Sequence, residues 1–102
     1  MTAGRFRIVA IPNRKSWVPC GDRHVVGALE VEVLDAGEPP PRMVLLVSCP
    51  TDVREVNLAV GETIAAKLHH RKQPWPSVAG LAKDLPRRQV ASFEARPADD
   101  PQ

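Results

Sequence analysis

The sequence has few of the residues that mark a reaction and few aromatic residues with which to build a core. Only 4% of its 102 residues are aromatic, and there is no tyrosine. The core must therefore come from aliphatic side chains, which the 43% hydrophobic content supplies. There is no glycine-rich phosphate loop, no Ser-His-Asp order and no kinase-like pattern. These absences exclude the enzyme classes that such motifs identify.

Long apolar runs are also absent. No run approaches the ~20 residues of a membrane-spanning helix. The first residues, MTAGRFRIVAIP, lack the apolar segment of a signal peptide. Two cysteines do not make the disulfide framework of a small secreted domain. We therefore expect a soluble cytoplasmic protein with reduced thiols and no membrane partner.

Charge is distributed unevenly, although the formal net charge is only +2. Residues 1–23 carry five basic residues and one acidic residue, and residues 63–96 carry seven basic and two acidic residues. Residues 24–41 carry four acidic residues and no basic residue. This layout can form a basic face that attracts nucleic acid. The basic segments can equally pair with the acidic strand or face solvent, and both alternatives stay open.

Alternation of apolar and polar residues predicts three strands in the first half of the chain. Residues 5–11 (RFRIVAI) and 24–35 (HVVGALEVEVLD) alternate with a period of two. Residues 42–48 (RMVLLVS) form a continuous apolar run, which is typical of a strand covered on both faces. The proline-rich turn AGEPPP at 36–41 joins the second strand to the third, so we expect an antiparallel hairpin.

Residues 49–72 have the pattern of an amphipathic helix. Asp52 and Glu55 have the spacing of a capping box. An apolar stripe follows at helical intervals: Val53, Val56, Val60, Ile64 and Leu68. Gly61 costs about 1 kcal/mol inside a helix. The alternative is a short strand at 56–60 and a helix that starts after Gly61.

The remaining residues predict a second helix at 77–85, a final strand at 87–96 and a disordered tail at 97–102. The fold class is therefore α+β in the order β-β-β-α-α-β. We expect one domain, residues 1–96, in which two helices cover one face of an antiparallel or mixed sheet of about four strands. The other face of the sheet would be open, which predicts self-association as a homodimer.

Cys49 would lie between the third strand and the first helix, where a helix N-terminus stabilises a thiolate and holds an anion. The segment CPTDVR (49–54) resembles the catalytic loop of rhodanese-type sulfurtransferases, and RHVVGAL (23–29) resembles the segment around that family's GHIPGA pattern. The resemblance implies a small thiol-dependent enzyme with Cys49 and Arg54 in an anion-binding loop. The loop has no glycine, and the alternative is an inert cysteine at a strand end.

Five side chains could be considered as metal ligands: Cys20, His24, Cys49, His69 and His70. Their spacing does not match a common zinc motif, because there is no Cys-x2-Cys pair. The adjacent His69 and His70 would point in different directions on a helix, near its negative C-terminal end. We expect no metal and no cofactor, and zinc is the less favoured alternative.

Both tryptophans follow an Arg-Lys pair and lie beside a proline, in NRKSWVP (13–19) and HRKQPWPS (70–77). This composition suits base stacking with phosphate contacts. It equally suits a tryptophan that caps an aliphatic core, which we favour. A helix-turn-helix over 77–96 is a further alternative. The candidate binding residues are Arg14, Lys15, Trp17, Arg71, Lys72, Trp75, Arg87 and Arg88.

The sequence predicts a small, non-catalytic accessory protein that acts through protein–protein contacts and self-associates. The first alternative is nucleic-acid binding through the two basic, tryptophan-containing loops. The second alternative is the thiol-dependent enzyme with the rhodanese-like loop.

Overall fold

Five segments with alternating or continuous apolar residues form the strands of a barrel in the computed structural model. The strands are β1 (Thr2–Ala10), β2 (Val26–Val33), β3 (Arg42–Ser48), β4 (Thr63–Leu68) and β5 (Arg87–Glu94). Two short 3₁₀ turns, Arg14–Ser16 and Pro50–Asp52, lie in the β1–β2 loop (11–25) and the β3–β4 connection (49–62). The structure describes residues 2–22, 24–69 and 85–94.

The sheet closes on itself because β1 has a strand partner on both sides. It pairs antiparallel with β2 and with β4, so that Phe6 lies opposite both Val33 and Ile64. The order around the closed barrel is β1-β2-β3-β5-β4. β3 and β5 run parallel, and their pairing covers only residues 44–46 and 87–89. We call this short parallel ladder the seam.

The interior is aliphatic, as the shortage of aromatic residues requires. Nine strand residues form the buried cluster inside the barrel: Phe6, Ile8, Leu29, Val31, Leu45, Val47, Ile64, Ala66 and Leu68. Trp17 from the β1–β2 loop belongs to the same cluster. A second buried cluster, on the outer face of β2 and β3, contains Val26, Ala28, Val44 and Leu46, with Leu85 packed against it.

The α+β prediction is wrong. The described residues form an all-β barrel in which the two 3₁₀ turns are the only helical elements. The segment 49–69 of the predicted helix is a turn, a loop and then β4. In β4, Ile64, Ala66 and Leu68 are buried, whereas Thr63 and Lys67 are exposed. An interval of four residues fits both a helix and a strand, so the spacing of Ile64 and Leu68 does not distinguish them.

The alternative for this region, a strand at 56–60 with a helix after Gly61, is also wrong. Residues 56–60 lie in a loop, from which Val56 and Leu58 pack against the barrel core. Gly61 adopts a φ of +94°, a left-handed conformation that favours glycine, immediately before β4. The glycine therefore marks a turn into a strand.

The predicted strands agree with the structure more closely than the predicted helix at 49–72 does. The strand expected at 42–48 is present with the predicted bounds, and those expected at 5–11, 24–35 and 87–96 are present with shifted ends. The antiparallel β2–β3 hairpin is confirmed. Residues 87–94 form β5, so the helix-turn-helix alternative is wrong. The helix predicted at 77–85, apart from Leu85, and the tail at 97–102 lie outside the described residues.

Closure of the barrel removes the open sheet face from which self-association was inferred. Val18 and Val60 are the exposed large hydrophobic residues of the described chain, and they are 43% and 62% exposed. Self-association therefore stays a prediction, but the open sheet face no longer supports it. Within the described ranges, no helix has the length and apolar character needed to cross a membrane.

Candidate functional site

The side chain of Asn13 forms three hydrogen bonds, one within the β1–β2 loop and two that connect this loop to β2. Its amide nitrogen donates a hydrogen bond to the Val26 carbonyl (2.8 Å). Its Oδ1 accepts hydrogen bonds from Trp17 Nε1 (3.0 Å) and from the Ala28 N–H (2.9 Å). These bonds give the indole donor a partner although Trp17 is only 9% exposed. Trp17 therefore caps the core, as the favoured alternative for this residue predicts.

The same loop exposes two cations, Arg14 and Lys15. The Arg14 guanidinium lies 5.0 Å from the centroid of the Trp17 ring, within the range of a cation–π interaction. The buried indole thus positions the Arg14 side chain at the surface of the loop.

Gly27 in β2 allows Trp17 and the β3–β4 connection to meet over the end of the barrel. A Cβ at this position would lie 2.8 Å from the Trp17 ring and 2.7 Å from Pro50 Cγ. Both distances are too short for carbon atoms in contact, so only glycine fits here without movement of its neighbours.

Part of the basic N-terminal segment pairs with acidic residues of the second strand and its turn. Arg7 forms an ion pair with Glu32, and the Arg5 guanidinium lies 3.3 Å from the Asp35 carboxylate. The internal-pairing alternative is therefore confirmed for these two arginines.

Cys20 and Cys49 form a disulfide that ties the β1–β2 loop to the end of β3. Their Cα atoms lie 5.6 Å apart, and the bridge spans 29 residues. The expectation of reduced thiols is therefore wrong for this structure, in which neither cysteine is free. Cys49 is followed by a three-residue 3₁₀ turn, which provides no helix N-terminus. Arg54 donates from Nη1 to the Thr51 carbonyl (2.9 Å). The oxidised protein consequently lacks the nucleophile that the thiol-enzyme alternative requires.

The residues considered as zinc ligands are partly brought together. Both sulfurs of the disulfide and a carboxylate oxygen of Asp52 lie within 4.8 Å of one another. His24 Nε2 is 2.7 Å from the hydroxyl of Ser48, the residue before Cys49. Because Cys20 and Cys49 are bonded to each other, this group offers no thiolate to a metal.

The predicted binding residues do not form one patch in the described part of the chain. Arg14 and Lys15 lie at the end of the barrel where β1 ends, whereas Arg87 and Arg88 begin β5 at the opposite end. The connection between β4 and β5 leaves from that opposite end, starting with His69. Residues 70–84 of this connection lie outside the described residues, and they include the candidates His70, Arg71, Lys72 and Trp75.

The pairing of β3 with β5 ends at the seam, and β5 contains a bulge shortly after it. Leu68 lies opposite Val90 and Lys67 lies opposite Ser92, which leaves Ala91 as an extra residue in β5. A bulge bends its strand, and this one follows closely on Gln89, the last residue of the seam. Between the two strands lies a cavity of about 330 Å³, lined by residues 47–49, 52, 53, 55 and 90–93. We call it the β3–β5 cleft.

Neither strand that borders the β3–β5 cleft has a ladder partner on the cleft side among the described residues. Residues 47 and 48 of β3 pair only with β2, and residues 90–94 of β5 pair only with β4. Strand edges of this kind present backbone N–H and C=O groups to which another strand can bond.

The β3–β5 cleft has walls of mixed polarity, in which Ser48 and Ser92 lie among apolar residues, and an acidic rim. Val47 is buried, whereas Val90 and Phe93 are half-buried and pack against the core. Asp52 and Glu55 line the cleft and are exposed. No lining residue is basic. The cleft therefore combines hydrophobic contact, negative charge and strand edges that have no ladder partner among the described residues.

Sequence reasoning missed both the disulfide and the β3–β5 cleft. The sequence offers little signal for the disulfide, because Cys49 directly follows the strand predicted at 42–48 whereas Cys20 lies within a loop, four residues before the strand predicted at 24–35. The cleft depends on a bulge at Ala91, a small residue within an alternating stretch, and no local pattern marks it.

Comparison with protein-family models, with curated proteins and with solved structures gives no significant match for this chain.

Proposed function

We propose that this chain is a non-catalytic binding module that engages a protein partner through the β3–β5 cleft. The observation that supports the proposal is that, among the described residues, neither β3 nor β5 has a strand partner on the side of a cleft that is partly lined by apolar residues. An extended segment of another protein can complete such edges with backbone hydrogen bonds, and its alternate side chains fill the pockets between them. The bulge at Ala91 lies in β5 beside this cleft, where it bends the strand.

Selection of binders from a random linear peptide library tests this function. Peptides that bind the wild-type protein are expected to lose binding to Ala91→Trp, because the indole fills the cleft. Thr63→Trp is the matched control, since it places the same ring on an exposed position of β4. Selected peptides that bind both variants equally, or the absence of any selected peptide, would argue against the proposal.

A second candidate, nucleic-acid binding, is favoured by the strand order. The closed five-stranded barrel with a parallel β3–β5 pair resembles the OB-fold, in which the β2–β3 face and the β1–β2 and β4–β5 loops bind oligonucleotides or oligosaccharides. Arg14 and Lys15 lie in the β1–β2 loop. However, a likeness of fold does not establish function. Glu30 lies on the outer side of β2, where its charge would repel phosphates, whereas Glu32 is paired with Arg7.

The nucleic-acid candidate predicts that Arg14→Gln/Lys15→Gln weakens the binding of a fluorescently labelled single-stranded oligonucleotide. Loss of two phosphate contacts should also reduce the slope of log K against log salt by about 1.4. Fluorescence anisotropy at several salt concentrations measures both effects. Lys67→Gln, on the exposed face of β4, is the control. Equal binding by the two variants, or no binding at low salt, would remove this candidate.

We propose a cytoplasmic location, which the disulfide restricts. The sequence suggests the cytoplasm, whereas a disulfide such as Cys20–Cys49 persists in an oxidising compartment. A cytoplasmic location therefore requires that the disulfide be shielded from cellular reductants, or that the protein also works in its reduced form.

A further inference from the structure

We infer, on the basis of the proposed function, that the partner of the β3–β5 cleft is an extended segment in which apolar residues alternate with lysine or arginine. The segment would run antiparallel to both β3 and β5. Three properties of the cleft lead to this description: the direction of its two edges, the apolar side chains on its inner side and the sign of its charge.

The direction follows from the barrel topology. β3 and β5 are parallel to each other, so one inserted strand can be antiparallel to both of them. Antiparallel pairing is slightly more stable per residue than parallel pairing. Such a strand would enter from the rim that carries Asp52, and its C-terminal end would lie nearest to Gln89. Because β3 and β5 are hydrogen-bonded to each other from that point on, only a short segment fits.

The alternation follows from the side chains that border the cleft. Successive side chains of a strand point to opposite faces of a sheet. An inserted strand would thus direct every second side chain towards the barrel core, where Val47, Val90 and Phe93 provide apolar contacts. The intervening side chains would face solvent. The inward positions therefore select apolar residues.

The charge follows from the rim. Asp52 and Glu55 line the cleft, both are exposed, and no basic residue is among the lining residues. Arg54 lies between them in sequence and keeps its positive charge, but it does not line the cleft, and its guanidinium donates to the Thr51 carbonyl. Exposed carboxylates favour a basic partner and disfavour an acidic one, and they contribute more to specificity and association rate than to affinity. The same charge disfavours nucleic acid in the cleft.

Two synthetic peptides test the inference: one alternates valine with lysine, and the other alternates valine with glutamate. The lysine peptide is expected to bind and to shift the amide NMR signals of residues 47–48 and 90–94. Asp52→Asn/Glu55→Gln should weaken its binding by about three- to tenfold. Glu38→Gln, an exposed change in the β2–β3 turn, should leave the affinity unchanged.

Several results would overturn the inference while the proposed function stands. One is equal binding of the two peptides at the cleft. Another is failure of both peptides to bind when library-selected peptides bind the wild-type protein but not Ala91→Trp. Lysine-peptide shifts confined to other residues would also overturn it. Shifts of the cleft amides by an oligonucleotide would contradict both the inference and the proposed function. A dimer in sedimentation that Ala91→Trp dissociates would show that a second copy occupies the cleft, which also contradicts the inference.

Discussion

The Trp17→Ala variant is expected to unfold at a markedly lower urea concentration, with its free energy of unfolding reduced by about 3–5 kcal/mol. The indole packs in the barrel core and is only 9% exposed. Its removal leaves a cavity at the end of the barrel and takes one of two donors away from Asn13 Oδ1. Circular dichroism during urea titration measures the change without relying on tryptophan fluorescence.

Trp17→Phe separates the two contributions. The phenyl ring retains much of the apolar volume but lacks the Nε1–H that Asn13 accepts, so the hydrogen-bond part of the loss is about 1 kcal/mol. Packing of the smaller ring adds to that value, and the Phe variant should lie between wild type and Trp17→Ala. Wild-type stability in Trp17→Ala would show that the indole does not cap the core.

Replacing Cys20 and Cys49 with serine is expected to lower the free energy of unfolding by about 3–4 kcal/mol. The estimate comes from the loss of a cross-link that spans 29 residues of the unfolded chain. For a chain of this size the melting temperature should fall by more than about 10 °C. Thermal unfolding of the oxidised protein and of the variant gives the comparison.

A reducing agent provides the internal control for the disulfide. A dithiol should bring the melting temperature of the wild-type protein close to that of Cys20→Ser/Cys49→Ser, and it should leave the variant itself unaffected. Titration of free thiols in the unreduced, unfolded protein should find none. Two free thiols and an unchanged melting temperature under reduction would be inconsistent with the cross-link.

The β-strands could be predicted from the sequence, because a period of two over several residues is a local property. Phe6 and Ile8 alternate with the arginines of β1, and they are the buried residues of that strand. The segment around β4 could not be assigned in the same way. Ile64 and Leu68 satisfy helical and strand spacing alike, and the alanines at 65 and 66 add helix propensity. Pairing with β1 decides in favour of a strand.

The site depends on contacts that no local pattern contains. Cys20 and Cys49 meet only because β2 and β3 form a hairpin that returns the chain to the same end of the barrel. The orientation of Trp17 depends on Asn13 and on the missing side chain at Gly27. The sequence identifies two roles for Trp17, base stacking and capping of the core. Tertiary packing decides between them.

The double pairing of β1 has a consequence for how the protein folds. Thr2 pairs with Leu68, so the barrel cannot close until residues far apart in sequence have met. Proteins dominated by such non-local pairing have high contact order and fold slowly, in the range of about milliseconds to seconds. The Cys20–Cys49 disulfide lies between Thr2 and Leu68 in sequence. It therefore shortens the covalent path between β1 and β4. Because loop-closure entropy varies only with the logarithm of length, the oxidised chain should gain only modestly in folding rate, and most of the effect of the cross-link should appear as slower unfolding.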